Sequence, residues 1–241
     1  MAIRVLVVDD TVFYRKIISD ILASLPQVEV VGTANNGKIA LSRIKALEPD
    51  LVTLDVEMPV LDGLGVLKEI HELGLDVDCL MLSGITQKGS EVTMQALELG
   101  AFDFVTKPEK GTAEENTKAL QAALAPLLRG YVRRKEMKSI LSGRPVAGRS
   151  EDEVHKIREE ANLQKRTPAV AKRTEYSEAV AIGISTGGPN ALAKLIPALP
   201  AKMGVPVFVV QHMPAVFTGS LAKSLSLKSR LTVKEAVNGE T

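Results

Sequence analysis

The sequence is poor in cysteine, in aromatic residues and in excess charge of either sign. Among 241 residues there is one cysteine, Cys79, and no tryptophan. A single cysteine excludes an internal disulfide and a cysteine cage for zinc. Lysine and arginine number 30 and aspartate and glutamate 29, so the net charge is +1. This balance gives no support to nucleic acid or a charged membrane surface as a partner.

Long hydrophobic runs and a signal peptide are also lacking. No apolar stretch approaches the roughly 18 residues of a membrane span. The chain passes from its first four residues, MAIR, directly into a strand-like segment, whereas a secretory leader has a basic region followed by an apolar one. We therefore expect a cytoplasmic protein without direct membrane insertion, with Cys79 packed in a reduced core.

The first half of the chain alternates short apolar runs with amphipathic segments. The runs lack polar alternation, which is typical of strands buried on both faces of a parallel sheet. Strands are predicted at 3–8, 28–33, 51–54, 79–82 and 102–105. Helices are predicted at 13–25, 38–47, 63–73 and 90–99. The predicted fold class is α/β, a flavodoxin-like doubly wound sheet with its sites at the carboxyl ends of the strands.

Composition changes after this first pattern. Residues 113–134 are predicted to form a fifth helix that Pro126 kinks or interrupts. Apolar residues then become sparse and charged residues frequent, which is typical of a solvated linker. A second α/β pattern follows, with strands at 179–184, 205–211 and 231–235 and helices at 190–199 and 218–225. We expect a first domain at 1–125, a linker at 126–177 and the first part of a second parallel α/β domain at 178–241.

Polar residues follow successive predicted strands of the first domain. Asp9 and Asp10 follow the first strand, Asp55 the third, Ser83 the fourth and Lys107 the fifth. Three carboxylates at one sheet edge need a cation, and an all-oxygen set suits Mg²⁺. A carboxylate beside Mg²⁺ can attack a phosphoryl group, so we expect phosphorylation of Asp55. The alternative is ordinary helix capping and turn closure, which five such residues at one edge disfavour.

Five short strings surround these residues. They are VVDD at 7–10, LDVEMP at 54–59, DG at 62–63, MLS at 81–83 and FVTKP at 104–108. With them, residues 3–109 resemble the receiver domain of two-component response regulators. The resemblance implies that a histidine kinase phosphorylates Asp55. It also implies that Asp10 and Asp55 ligate Mg²⁺, with Asp9 nearby and the carbonyl of Glu57 as a further ligand.

The same resemblance assigns three switch positions of the receiver pattern. Ser83 and Phe104 correspond to the switch hydroxyl and the switch aromatic, and Lys107 completes the switch set. The resemblance further implies a cis peptide bond between Lys107 and Pro108, although a proline alone raises that chance only modestly.

The second domain contains a serine and a histidine at neighbouring predicted strand ends. The string GISTG at 183–187 lies between a strand and a helix, and its glycines permit the strained turn that presents the Ser185 hydroxyl. His212 ends the next strand, where a neutral imidazole could take the serine proton. The alternatives are a phosphate-binding or turn segment at 183–187 and a histidine buried in the core at 212.

Longer strings extend this pattern across both domains. They are TLDVEMP at 53–59, ALELGA at 96–101, GISTGGP at 183–189 and QHMP at 211–214. Together they look like the chemotaxis protein-glutamate methylesterase (CheB) family. The resemblance implies hydrolysis of methylated glutamates on chemoreceptor cytoplasmic domains, and deamidation of receptor glutamines. It implies Ser185 as nucleophile, His212 as base, no esterase cofactor, and a receiver that covers the esterase site until Asp55 is phosphorylated.

The sequence supplies no aspartate to orient His212. After Ser185 the only acidic residues are Glu235 and Glu240, and the resemblance places the family's catalytic aspartate beyond Thr241. Loss of that orientation costs about 10⁴ in turnover in serine proteases. Two hypotheses follow: a phosphorylation-gated esterase whose triad aspartate is missing from this truncated sequence, or a catalytically inactive receiver protein that acts as a phosphate sink or docking module.

Overall fold

Five parallel strands form the sheet of the first domain. The structure, a computed structural model, describes residues 2–84, 87–108, 110–142 and 177–240. The strand order is β2-β1-β3-β4-β5, and every neighbouring pair is parallel. The strands are β1 (Ile3–Val8), β2 (Val28–Ala34), β3 (Leu51–Asp55), β4 (Asp78–Gly84) and β5 (Asp103–Lys107). This order confirms the predicted flavodoxin-like doubly wound fold.

Helices cover both faces of this sheet. One face packs against α1 (Val12–Ala23) and α5 (Ala113–Leu141), and the other against α2 (Gly37–Leu47), α3 (Gly63–Glu72) and α4 (Gln87–Glu98). Side-chain oxygens at four helix starts accept a backbone N–H, which satisfies donors that a helix cannot pair internally. These N-caps are Thr11, Asn36, Asp62 and Thr112.

The strands are buried because helices lie on both sides of them. All five residues of β3 are buried, and Val5, Leu6, Val7 and Val8 of β1 have no exposed surface. Cys79 is a buried free thiol of this core, and burial raises its pKa to about 12. The core role predicted for Cys79 is therefore confirmed.

Helix α5 differs from its prediction. It runs without interruption from Ala113 to Leu141, past the expected end near residue 134, and Pro126 lies inside it. A proline inside a helix removes one backbone hydrogen bond, but apolar residues on either side are buried against the sheet: Leu120, Leu124, Leu127, Leu128, Tyr131 and Val132. Their burial outweighs the lost hydrogen bond and keeps the helix continuous.

The second α/β region contains a two-stranded parallel sheet. Strand β6 (Val180–Ile184) is followed by α6 (Gly188–Ala198), and β7 (Val207–Gln211) is followed by α7 (Ala215–Lys228). The strand predicted at 231–235 is wrong, because this segment pairs with no strand of the described residues. Its backbone instead uses serine side chains: Val233 N–H donates to Ser226 Oγ at 3.4 Å.

Apolar side chains of α6 and α7 pack in the same hydrophobic core as residues of α4 and β5. Leu192, Ile196, Phe217 and Leu221 are buried in one cluster with core residues of the first domain. Residues 143–176, most of the expected linker, lie outside the described residues, and the domain boundaries remain predictions. Within the described ranges, no helix is both long and apolar enough to cross a membrane.

Candidate functional site

The polar residues that follow the first-domain strands meet at one end of the sheet. Asp9 follows β1 directly, and Asp55 is the last residue of β3. Carboxylate oxygens of Asp9, Asp10 and Asp55 lie within 4.8 Å of one another. Asp10 is exposed, whereas the other two are buried. The cluster therefore has a solvent-facing side at Asp10.

Lys107, at the end of β5, brings a positive charge into this acidic cluster. Its Nζ lies 2.6 Å from Asp9 Oδ2 and 2.7 Å from Asp55 Oδ2. The same ammonium lies 4.8 Å from the centroid of the Tyr14 ring, within range of a cation–π interaction. Asp9, Asp10, Asp55 and Lys107 are thus brought together, with Lys107 between two of the carboxylates.

The segment after Lys107 does not have the expected backbone geometry. No peptide bond among the described residues is cis, so the expectation for the Lys107–Pro108 bond is wrong. Because an X–Pro bond prefers trans by only about 0.5–1 kcal/mol, the sequence does not decide the isomer. The Pro108 carbonyl accepts a hydrogen bond from the Tyr14 hydroxyl at 2.6 Å, which joins α1 to the end of β5.

Burial and charge shift the pKa values of this cluster in opposite ways. Burial raises the pKa of Asp55 to about 6, although the ion pair with Lys107 and a hydrogen bond from the Glu57 backbone N–H oppose the shift. Burial lowers the pKa of Lys107, but Asp55 and Asp9 outweigh it and raise that pKa above its usual value. Lys107 therefore stays charged at neutral pH, and Asp55 titrates close to the physiological range.

The donor set of the cluster fits a divalent metal ion. All three carboxylates offer hard oxygen atoms, the type that Mg²⁺ prefers, and an incomplete set of protein ligands leaves room for water and phosphate oxygens. Glu57, two residues beyond Asp55, already approaches the Asp55 carboxylate through its backbone N–H. The carbonyl of Glu57 remains a predicted ligand.

The two other predicted switch residues, Ser83 and Phe104, lie on β4 and β5. Ser83 follows Leu82, the register partner of Asp55, and is buried. Phe104 is near the start of β5, and its ring lies 4.5 Å from the ring of Phe217 on α7. Sequence reasoning did not find Phe217 as the partner of Phe104. A strand position and a helix position more than a hundred residues apart carry no local signal of contact.

Ser185 and His212 lie side by side at the ends of β6 and β7. The sheet register pairs Ile184 with Gln211, so the residues that follow these two are neighbours. The Ser185 Oγ atom lies 3.3 Å from His212 Nδ1, and both side chains are exposed. An unprotonated Nδ1 can accept the serine proton.

The two acidic residues after Ser185 are engaged by other side chains. Glu235 accepts a hydrogen bond from the Thr218 hydroxyl, and Glu240 forms an ion pair with Lys234 at 2.7 Å. The structure thus gives neither glutamate a contact with His212.

Asp103 of the first domain reaches the turn that carries Ser185. The Gly187 N–H donates to Asp103 Oδ2 at 2.7 Å, and the Asn190 side chain donates to the Ala101 carbonyl. Burial raises the pKa of Asp103, while the N–H groups of Gly187 and Phe104 oppose the shift. Sequence reasoning missed Asp103, although an aspartate at the start of an otherwise apolar strand was a visible signal.

A second set of contacts joins α4 to α7. Glu98 accepts a hydrogen bond from Ser224, and its Oε1 lies 2.8 Å from Lys228 Nζ. Burial opposes ionisation of Glu98, but Lys228 and Ser224 outweigh it and lower its pKa. The α4 side of the first domain therefore lies directly against α7, the helix that follows His212.

Comparison with protein families assigns both regions of the chain. A model described as the response regulator receiver domain matches residues 5–121, and one described as CheB methylesterase matches residues 180–241. A solved structure of the response regulator domain of Thermotoga maritima CheB is 38% identical, with a TM-score of 0.47, and covers 56% of this chain and 96% of that chain.

Two curated relatives align along almost the whole chain. Both are named protein-glutamate methylesterase/protein-glutamine glutaminase. The relative from Desulfotalea psychrophila is 46% identical over 99% of this chain and 64% of its own length. The relative from Bacillus subtilis is 44% identical over the same shares. The chain thus spans about 64% of the length of these relatives. Since both family models and these relatives agree along the chain, it belongs to the CheB family of response-regulator methylesterases.

Proposed function

We propose that this protein is a phosphorylation-gated esterase of chemotaxis. Its substrates are glutamate methyl esters, and also glutamine amides, on the cytoplasmic domains of chemoreceptors. Its phosphodonor is a histidine kinase, so the protein acts in the cytoplasm. The observation that carries the proposal is the Ser185–His212 pair, 3.3 Å apart, facing a receiver that has its own acidic cluster. The names of the relatives support the same activity.

The esterase chemistry needs a nucleophile and a base. Ser185 Oγ attacks the ester carbonyl carbon while His212 takes the hydroxyl proton. The proton then goes to the departing methoxide, so methanol leaves and the glutamyl group remains on Ser185 as an ester. Water, deprotonated by His212, attacks that ester and releases a free glutamate side chain. With a glutamine substrate the group that leaves is ammonia.

The phosphorylation chemistry belongs to the acidic cluster. An Asp55 carboxylate oxygen attacks the phosphorus of a phosphohistidine, the P–N bond breaks, and the imidazole leaves. Asp9, Asp10 and Asp55 would hold Mg²⁺, which neutralises phosphoryl charge when bound. Lys107 and Ser83 would bind the phosphoryl oxygens. Asp55 has to be ionised to attack, and burial raises its pKa to about 6, so phosphorylation should slow as pH falls.

The contacts between the two domains support a gating role for the receiver. Phe104 of β5 touches Phe217 of α7, and Asp103 accepts a hydrogen bond from the turn beside Ser185. A change in the position of Phe104 on phosphorylation of Asp55 would remove its contact with Phe217. Movement of the receiver away from α7 would then widen the approach to the pair, which large receptor helices must reach.

The test is methanol release from a methylated receptor. The chain is treated with acetyl phosphate and Mg²⁺, and labelled methanol is measured against two single variants. We expect release that Ser185→Ala abolishes and that Asp55→Ala reduces to the level without phosphodonor. If Asp55 takes up phosphate but no methanol is released, the chain is a receiver that acts as a phosphate sink or docking module. Release that survives Ser185→Ala would refute the esterase assignment.

A further inference from the structure

The side chain of Gln211 links the two residues that carry the serine and the histidine. Gln211 is the last residue of β7. Its Nε2 donates to the Ser185 carbonyl at 3.1 Å and to the His212 carbonyl at 3.1 Å. One carboxamide thus bridges the ends of two strands whose side chains form the pair. The reversed amide would point its oxygen at two carbonyl oxygens, so the nitrogen has to face them.

Gly188 makes room for this bridge. A Cβ atom at position 188 would lie 1.9 Å from Gln211 Oε1 and 2.7 Å from Gln211 Cδ, so a side chain there would displace the Gln211 carboxamide. The backbone of Gly188 is in the helical region at the start of α6, whereas Gly187 beside it has a φ of 69°. Backbone conformation therefore explains glycine at 187 but not at 188. At 188 the absent side chain gives Gln211 its space.

The Ser185 carbonyl is held from two directions. It accepts the Gln211 amide and also the Gly188 N–H at 2.8 Å. On the other strand, the His212 N–H donates to the Ile184 carbonyl at 3.0 Å. The backbone bonds fix each turn locally, and the Gln211 side chain adds the link between the Ser185 carbonyl and the His212 carbonyl. Gln211 Oε1 is buried without a hydrogen-bond partner, so this orientation has a cost that the two carbonyl bonds offset.

We propose that Gln211 is a positioning residue for the Ser185–His212 pair and that Gly188, which has no side chain, leaves the space that the Gln211 carboxamide occupies. The inference rests on the proposed esterase function, because positioning matters only if the pair reacts. The Oγ–Nδ1 separation of 3.3 Å is at the long end of a hydrogen bond, and both side chains are exposed. A small change in either turn breaks such a contact, and misplacement by about 1 Å can cost 100-fold in rate.

The test is the effect of Ser185 on the ring nitrogen signals of His212. The chain has three histidines, so a sample labelled with ¹⁵N in histidine gives a simple spectrum. His71 on α3 serves as an internal reference for an intact first domain. In the parent chain, Ser185→Ala should shift the His212 ring signals because it removes the hydrogen-bond partner of Nδ1. In the Gln211→Ala background, the same Ser185→Ala change should leave those signals in place.

A second variant keeps the proposal testable if Gln211→Ala disturbs folding. Gly188→Ala places a methyl group where the carboxamide lies, and it should remove the Ser185-dependent shift in the same way. Added to Gln211→Ala, it should have no further effect, since the space is then vacant. Val210→Ala is the matched control, because that side chain is 74% exposed on the same strand, and it should preserve the shift.

The outcomes separate this proposal from the proposed function. If Ser185→Ala leaves the parent His212 signals unchanged, the pair is not formed, and both the esterase proposal and the role of Gln211 fail. If the parent shows the shift and both Gln211→Ala and Gly188→Ala retain it, only the positioning role is overturned. Loss of the shift in these two variants, with the shift intact in Val210→Ala, supports the role of Gln211.

Discussion

The two α/β regions of this protein bury their strands to very different extents. Every residue of β3 in the receiver is buried, whereas in β7 of the second region Phe208 is 59% exposed and Val210 is 74% exposed. The acidic cluster of the receiver is held by strands that helices cover on both faces. The Ser185–His212 pair stands instead at the ends of two strands whose faces are partly open.

This difference shows how each site obtains its geometry. In the receiver, the charges of Asp9, Asp55 and Lys107 are paired among themselves within one domain. In the second region, the turn beside Ser185 donates a hydrogen bond to Asp103 of the receiver, and α7 has a ring contact with Phe104. The receiver site is thus complete within its own fold, while the surroundings of the serine site are shared between the two domains.

The largest expected contrast is between the effects on stability of one strand substitution in each sheet. Leu54→Ala in β3 removes a fully buried side chain and should lower the free energy of unfolding by about 2–5 kcal/mol. Val210→Ala in β7 removes an exposed side chain and should change it by less than about 0.5 kcal/mol. Urea titrations followed by circular dichroism measure both. Equal losses would mean that β7 is as well covered as β3 and would break the comparison.

The next contrast concerns the pH dependence of receiver stability. The pKa of Asp55 is raised to about 6, so folding takes up a proton between about pH 4 and pH 6, and stability falls as pH rises through that window. Asp55→Asn cannot ionise and should escape this fall, gaining up to about 3 kcal/mol over the parent at pH 7.5 without metal. The gain should shrink as pH falls towards 4 and vanish only below about pH 3, where the Asp55 carboxyl is protonated in both states.

Chemical denaturation at several pH values, in the presence of a chelator, measures this difference. Ser185→Ala is the control, because it alters the other site and should show the parent's pH dependence. A constant difference between Asp55→Asn and the parent from pH 4 to pH 7.5 would contradict the raised pKa.

The smallest expected effect concerns the hydrogen bond between Gly187 of the second region and Asp103 of the receiver. Asp103→Ala removes the acceptor of the Gly187 N–H, and the net value of one hydrogen bond corresponds to roughly 2- to 10-fold in amide exchange. Hydrogen exchange at Gly187 should accelerate by that factor. Asp20→Ala, which removes an exposed carboxylate on α1, should leave the Gly187 amide unchanged. Unaltered exchange in Asp103→Ala would show that the receiver does not protect the serine turn.

Much of the receiver could be predicted from the sequence because its signals are local. An apolar run such as 3–8 becomes a buried strand, and the residue after each strand falls at the same sheet edge, as Asp9 and Asp55 do. The strand predicted at 231–235 was wrong, because a strand also requires a neighbouring strand to pair with, which a local apolar pattern does not reveal. The interruption predicted at Pro126 was also wrong, because burial of the apolar residues around it outweighs the local helix-breaking effect of proline.

Contacts between the domains were beyond prediction because they join residues far apart in the chain. Asp103 and Gly187 are 84 positions apart, and nothing in either string names the other. The bridge made by Gln211 was missed for a different reason. The string QHMP drew attention to its histidine, and a glutamine beside it has no chemistry of its own to signal a role.

Strand β5 has a consequence for how freely this protein can change over evolution. Within five residues it touches the serine turn through Asp103, helix α7 through Phe104, and the acidic cluster through Lys107. At about 3.3 Å per residue, the two sites are linked by roughly 13 Å of a single strand. A substitution there changes the surroundings of both sites at once, so the two sites cannot vary independently. The segment that joins the two domains is therefore one in which a change has a double consequence.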